Sequence, residues 1–472
     1  MIKNLEDDTV TVPASVAKLL DTQHINYDLS PSPEFESTNP LMHDQHLRKV
    51  GAAKSIILQD EQGTAQVLIP ANCLLDLNQL NQTVGRKFSA CLPVDMQKLL
   101  TKISSAAMPA VPELMGLPTF VDQRLLQTEA VYLDSGNHEL LRIQQSEFSS
   151  MLDKAVTGSF TRELTELEQQ ANTSDSEAIF TAVKQFTQMR IKQRLEETLE
   201  LPPLPDTAQK IIQLRVDPNA DINDLAAIVE TDPSLAAQVV SWASSPYYSA
   251  PGKIKSIHDA IVRVLGFDMV LNLALGLALG KTLNMPQDGP FGVEPYWKNA
   301  VYTAATVEGL VTAIPRDQRP SFGMAYLSGL LSNFGMLILA EVFPPYFENI
   351  NRLMEANPHV PYHLVEKHVL GISRDQLAGW LMQLWNMPEE VVSALRFQSD
   401  LDYQEEHAMY GQLIHLSNNL LGERGLVHPT HEPATEQLYR RLGLDSEKVK
   451  TTMDNIVESA EELTNISAQM DG

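Results

Sequence analysis

Few places in these 472 residues combine side chains that could do chemistry. The densest is His359, His363, Glu366 and His368, imidazoles and a carboxylate of the kind that ligate a divalent metal. Pro358 and Pro361 interrupt the first i, i+4 histidine pair, so these histidines are expected at the surface or as helix caps. Cys73 and Cys91 are the two cysteines. They lack the Cys-x-x-Cys spacing of a zinc site, are too few for a disulfide framework, and read as reduced thiols of a cytoplasmic protein. No Gly-x-x-x-x-Gly-Lys-Ser/Thr, Gly-x-Gly-x-x-Gly or Gly-x-Ser-x-Gly occurs, so a P-loop, a Rossmann turn and a serine-hydrolase elbow lack their signatures.

Charge narrows the partners. Sixty acidic residues against 35 Lys and Arg give a net charge of −25, which repels DNA unless basic groups cluster. The most apolar run, Val264 to Leu279, holds Asp268 and Asn272 and is shorter than the ~20 residues that cross a bilayer. It is expected to be one buried helix, with no membrane span, and the acidic start MIKNLEDD is not that of a secretory signal.

The elements that must position any site fall into two kinds. Val12 to Leu20 has helical spacing, with Pro13 at an early position. Ser55 to Gln59 and Ala65 to Pro70 flank the turn Asp60-Glu-Gln-Gly63 and predict a hairpin. Thr119 to Asp122 and Ala130 to Asn137 add β-prone runs, so the first 156 residues read as an α/β (α+β) domain. From Thr161 the pattern turns helical, with two helices and a break at Asn172-Thr-Ser, which makes 157–200 a helical linker. Beyond it, Asp221 and Asp232 are expected N-caps in an all-α domain over 201–424. Residues 425–472 read as an acidic amphipathic helical segment built on Val449, Met453, Ile456 and Val457.

The ordered set Ala53-Lys54-Ser-Ile-Ile-Leu, Val67-Leu-Ile-Pro-Ala-Asn72, Val84-Gly85-Arg-Lys and Gly116-Leu-Pro-Thr-Phe-Val-Asp122 resembles the YbaK family of aminoacyl-tRNA editing domains. The resemblance implies a substrate pocket lined by Lys54 and by Ala106, Ala107, Met108 and Pro109 of the loop Ala106 to Pro112. Lys54 would hold an anionic group of the substrate and the loop's N–H groups would stabilise an oxyanion. Where the family loop reads Gly-Ala-Ile-Pro-Pro-Phe-Gly, this chain has Ala106 and Pro112 in place of both glycines, which implies a retained fold with altered activity. The first 150 residues carry 11 Lys and Arg against 18 Asp and Glu, a poor grip on tRNA.

A second series resembles the HDOD domain, a helical relative of the HD-type metal-dependent phosphohydrolases in bacterial signalling proteins. It comprises Leu201-Pro-Pro-Leu-Pro205, Asp232-Pro-Ser-Leu235, Ser244-Ser-Pro-Tyr-Tyr248, Ile254 to Ile261, Leu265-Gly266, Gly329-Leu-Leu331, Gly371 and Trp385-Asn-Met-Pro388. The HD ligand positions then fall on Asn299, Ser332, Asn333, Arg374, Gln398, Ser399 and Asn418, a set without imidazole or carboxylate. No metal, no cofactor and no HD-type phosphohydrolase activity are expected. The leading expectation is a bacterial signal-transduction protein whose HDOD module binds a protein partner and whose editing-type domain binds aminoacyl-tRNA or free amino acid. The alternative is a trans-acting aminoacyl-tRNA deacylase regulated by the HDOD domain.

Overall fold

The computed structural model describes residues 12–31, 46–137, 139–169, 174–191, 203–248, 252–281, 293–427 and 435–471. The parts of the sequence reading that fall on 170–173, 192–202 and 428–434, among them the break at Asn172 and the end of the linker helix, lie outside these residues. The chain divides into two compact units: residues 1–170 with 348–369, and residues 171–347 with 370–472.

The first unit is built on a mixed sheet of eight strands: β1 (Tyr27–Pro31), β2 (Ala53–Asp60), β3 (Gly63–Pro70), β5 (Ser89–Ala90), β6 (Thr119–Asp122), β7 (Ala130–Asp134), β8 (Glu139–Gln144) and β9 (Val156–Gly158). The order is β1-β8-β7-β2-β3-β6-β9, with β5 against β2. The hairpin stands where the turn residues placed it, in the register Ala53↔Pro70 to Asp60↔Gly63. Asp60 Oδ1 accepts from Gln62 N at 2.9 Å, Gly63 takes φ +114°, and Arg86 grips the Asp60 carboxylate through Nε at 2.7 Å. Helices α1 (Ala14–Thr22), α2 (Leu77–Val84), α3 (Pro93–Ile103), α4 (Gln145–Ser150) and α5 (Leu164–Glu168) complete this stretch. The core holds Val16 and Leu20 of α1 with Ala53, Ile57, Leu68, Val121, Leu133 and Leu141 from alternate strand positions.

One expectation about the linker is corrected. Thr161–Glu163 is a strand, β10, paired antiparallel with β4 (Cys73–Leu75), and the helix begins only at Leu164. Both belong to the first unit, so packing carries that unit past the sequence boundary at 156.

The second unit is helical: α6 (Asp175–Ile191), α7 (Asp206–Val216), α8 (Ile222–Glu230), α9 (Pro233–Ala243), α10 (Ile257–Ala260), α11 (Phe267–Gly280), α12 (Val293–Ala313), α13 (Phe322–Leu330) and α14 (Phe334–Val342). Next come α15 (Pro344–Ala356) and α16 (Tyr362–Leu370), which supply residues 348–369 to the first unit. After them the second unit resumes with α17 (Arg374–Leu384), α18 (Glu389–Phe397), α19 (Ala408–Glu423), α20 (Glu436–Arg441), α21 (Ser446–Glu458) and α22 (Ala460–Ala468). The expected N-caps are made: Asp221 closes a capping box with Asp224, and Asp232 accepts from Ser234 N and Leu235 N ahead of Pro233.

The apolar run is broken where one helix was expected. Gly266 adopts φ +81°, ending a five-residue π-helical turn, and α11 starts at Phe267. Met269 to Gly280 are then buried, and a Cβ on Gly276 or Gly280 would lie 2.5 Å from Leu330 or 2.3 Å from Trp297. Phe322 to Val342 is long and apolar enough to cross a membrane, but Leu331 to Asn333 divide it into α13 and α14, and most of it is buried. The central α12 packs on α13, α19, α21 and α22. From Leu444 onward, where one amphipathic helix was expected, the acidic tail forms α21 and α22, burying Val449, Met453 and Ile456 but leaving Val457 exposed.

Candidate functional site

Lys54 is the second residue of β2, half-buried and in register with Ile69. The alternation of the strand puts Ala53, Ser55 and Ile57 on one face and Lys54 on the other. Met108, Ala110 and Val111 pack into the core with Ala53 and Ile57. Buried Gln66 fixes the loop on that face, its Nε2 donating to Ser55 Oγ at 3.0 Å, Pro109 O at 3.2 Å and Val111 O at 3.1 Å. The structure therefore gathers the loop residues but leaves Lys54 on the opposite face of the strand.

The loop's donors are largely used. Ala106 N donates to Asn137 Oδ1 at 3.1 Å, Ala107 N to Gly136 O at 2.9 Å and Ala110 N to Asp134 O at 2.8 Å, while Pro109 and Pro112 have no N–H. Gly136 is seated tightly: a Cβ there would fall 2.6 Å from Ala107 O and 2.8 Å from Pro109 Cγ. Ser105 Oγ donates to Ala107 O at 2.8 Å, so Gln66, Ser105, Gly136 and Asn137 shape this loop, a role the sequence reading gave to none of them.

Neither thiol is poised for chemistry. Burial pushes Cys73 up to about 12 and raises Cys91 as well, so both stay protonated at neutral pH. The histidines include a correction: His359 is buried, not at the surface, and its Nε2 lies 3.0 Å from Cys73 O. His368 Nε2 is 3.5 Å from Asp76 Oδ2. Among the described residues no group of three His, Cys, Asp or Glu could hold a metal ion.

In the second unit the aligned HD positions do converge. Asn333 Nδ2 donates to Asn299 Oδ1; Thr303 Oγ1 reaches Asn299 Oδ1 at 3.3 Å and Asn418 Oδ1 at 2.8 Å. Gln398 Nε2 donates to Ser332 O at 2.9 Å and to Asp375 Oδ1 at 3.0 Å. Asp375 is buried; desolvation raises its carboxyl, against the opposing pull of Ser399, Arg374, Arg396 and Gln398. Arg374 is also buried, and its carbonyl backs onto Gly335 of α14.

The HDOD family model matches residues 201–401, and a protein of Marinobacter aquaeolei VT8, whose crystal structure is described as that of a candidate signal transduction protein, is 40% identical over 98% of this chain and 100% of its own, with a TM-score of 0.85. Residues 201–401 of the chain are an HDOD domain. Its HDOD domain is helical and the unit before it is α/β, as expected. An uncharacterized protein of Treponema pallidum is 23% identical over 207 residues, so the match spans 39% of that relative's length. Over 32% of this HDOD protein there is also a likeness to a candidate trans-editing enzyme for prolyl tRNA synthetase, at 19% identity over 97% of that chain and a TM-score of 0.25.

The HD fold implies a divalent metal, and the residues present do not fit one. Asn299 and Asn418 offer neutral amide oxygens that already accept hydrogen bonds, Asn333 enters the network as a donor through Nδ2, and Ser332 enters it through its carbonyl. The one carboxylate, Asp375, is raised toward its protonated form and occupied by Gln398. We expect added Mn2+ to leave the unfolding midpoint of this HDOD protein unmoved, because a ligand without affinity for the native state cannot stabilise it. Calorimetry showing a midpoint rise that saturates at one metal per chain would refute that. Asp375 was missed in the sequence because register alone put Arg374 in the slot; the helical turn carries the following residue into the network.

Proposed function

We propose that this chain is a non-catalytic regulator: the HDOD module binds a protein partner in a bacterial signalling pathway, and the N-terminal unit binds aminoacyl-tRNA or free amino acid. The observation that carries the reading is the amide network joining Asn299, Asn333 and Asn418 through Thr303. It fills with neutral hydrogen-bonded groups the position where phosphohydrolase chemistry needs a metal and its activated water. The description of the full-length Marinobacter relative supports the signalling role.

For the N-terminal unit, binding without hydrolysis is supported by the internal use of the Ala106, Ala107 and Ala110 N–H groups, which removes donors that an oxyanion would need. Lys54, on the other face of β2, is a candidate anion contact. The test is turnover of a panel of mischarged tRNAs and of bis(p-nitrophenyl) phosphate with Mn2+ by the full chain, beside Lys54→Ala. The expected result is no turnover of either class. Deacylation that disappears in Lys54→Ala would replace this reading with that of a trans-acting deacylase regulated by the HDOD module, and metal-dependent phosphodiester cleavage would overturn the non-catalytic HDOD assignment.

A further inference from the structure

Glu308 of α12 lies on a different helical face from Asn299 and Thr303, and among the described residues no Lys, Arg or His pairs with its carboxylate. Its surroundings are aromatic. Tyr248 Oη donates to Glu308 Oε2 at 3.4 Å and accepts from Trp242 Nε1 at 3.1 Å. The Tyr247 ring stands perpendicular to that of Tyr248, with centroids 4.9 Å apart, and Trp242 meets Tyr326 edge to face at 6.3 Å. Trp242 and Tyr326 are buried, whereas Tyr247, Tyr248 and Glu308 each keep part of their surface in solvent. The Tyr326 hydroxyl is buried beside that of Tyr248.

These features leave a charge without a counterpart. Burial pushes the Glu308 carboxyl up to about 7, the hydrogen bond from Tyr248 opposing it, so the group is about half ionised at neutral pH. Burial, followed by the charge of Glu308, also raises Tyr247 and Tyr326, whose phenols therefore lie within its field. Buried charges are normally paired, and the faces of Trp and Tyr rings attract cations. A guanidinium would ask for both carboxylate oxygens in a planar fork, and Oε2 is engaged by Tyr248. An ammonium needs only one oxygen and can turn its carbon substituents to the rings.

We propose that Tyr247, Tyr248 and Glu308, backed by the buried Trp242 and Tyr326, form a binding site for a small alkylammonium ion, with the Tyr247 and Tyr248 rings receiving its methyl groups and Glu308 neutralising its charge. The site is independent of the amide network and of the loop at Ala106. Choline serves as the probe and 3,3-dimethylbutan-1-ol, its uncharged isostere, as the control, in titration calorimetry on the full chain. Saturable one-to-one choline binding is expected, weaker by about tenfold or more for the isostere and, in Glu308→Gln, for choline itself. Circular dichroism verifies that the variant is folded. Absence of saturable choline binding to the wild-type chain, equal affinity for the isostere, or unchanged affinity in folded Glu308→Gln would each overturn the proposal.

Discussion

Replacing Asn357 by alanine is expected to destabilise the first unit by about 3 kcal/mol or more, since a buried polar group left unsatisfied costs roughly 1–3 kcal/mol. Asn357 is fully buried, and its side chain acts as a strand partner for β4. Its Oδ1 accepts from Leu75 N at 2.7 Å, and its Nδ2 donates to Leu75 O at 3.0 Å and to Leu353 O at 2.9 Å. Alanine would strand both peptide groups of Leu75, on the strand edge that β10 does not cover. His359 continues the same pairing at Cys73 O. The measurement is hydrogen exchange at the Leu75 amide together with thermal unfolding; an Asn357→Ala protein with wild-type exchange and midpoint would refute the role. It follows that a fragment ending at residue 170 lacks part of its own fold, because residues 348–369 belong to that unit.

Gly335→Ala should be comparably damaging for a different reason. A Cβ at Gly335 would sit 2.3 Å from Arg374 O and 2.8 Å from Arg374 C, so α14 and α17 would have to separate. Overpacking against main chain costs ~1–3 kcal/mol or more, since a backbone cannot rotate away. Gly276→Ala is the control: its Cβ would meet the Leu330 side chain at 2.5 Å, which can change rotamer, and the loss should be smaller. Urea unfolding of both variants checks the order, and equal midpoints would show that the α14–α17 contact is not rigid. Because Asn333 immediately precedes α14, the same shift is expected to break its hydrogen bond to Asn299.

The features legible in the sequence were those whose cause is local. The Asp60 to Gly63 turn set the hairpin, Asp221 and Asp232 set the helix starts, and apolar density set the burial of α11. Each depends on residues a few positions apart, and a short window of sequence contains the whole interaction. The residue types at the aligned HD positions, Asn299, Ser332, Asn333, Gln398, Ser399 and Asn418 among them, were likewise read from the sequence.

What only the tertiary structure decided lies in contacts between distant residues. Asn357 and Leu75 are 282 positions apart, and nothing around either marks it as a partner. Thr161–Glu163 reads as helix by composition and is a strand because the β4 edge is there to pair with it. Lys54 and the loop at Ala106 match one motif series, yet strand alternation sends the lysine to one face while Gln66 holds the loop on the other. Asp375 enters the amide network, and Glu308 is placed among aromatic rings, because helix packing fixes which residue of a turn points inward. Residue type and spacing determined which elements form; burial and long-range pairing determined which polar groups meet.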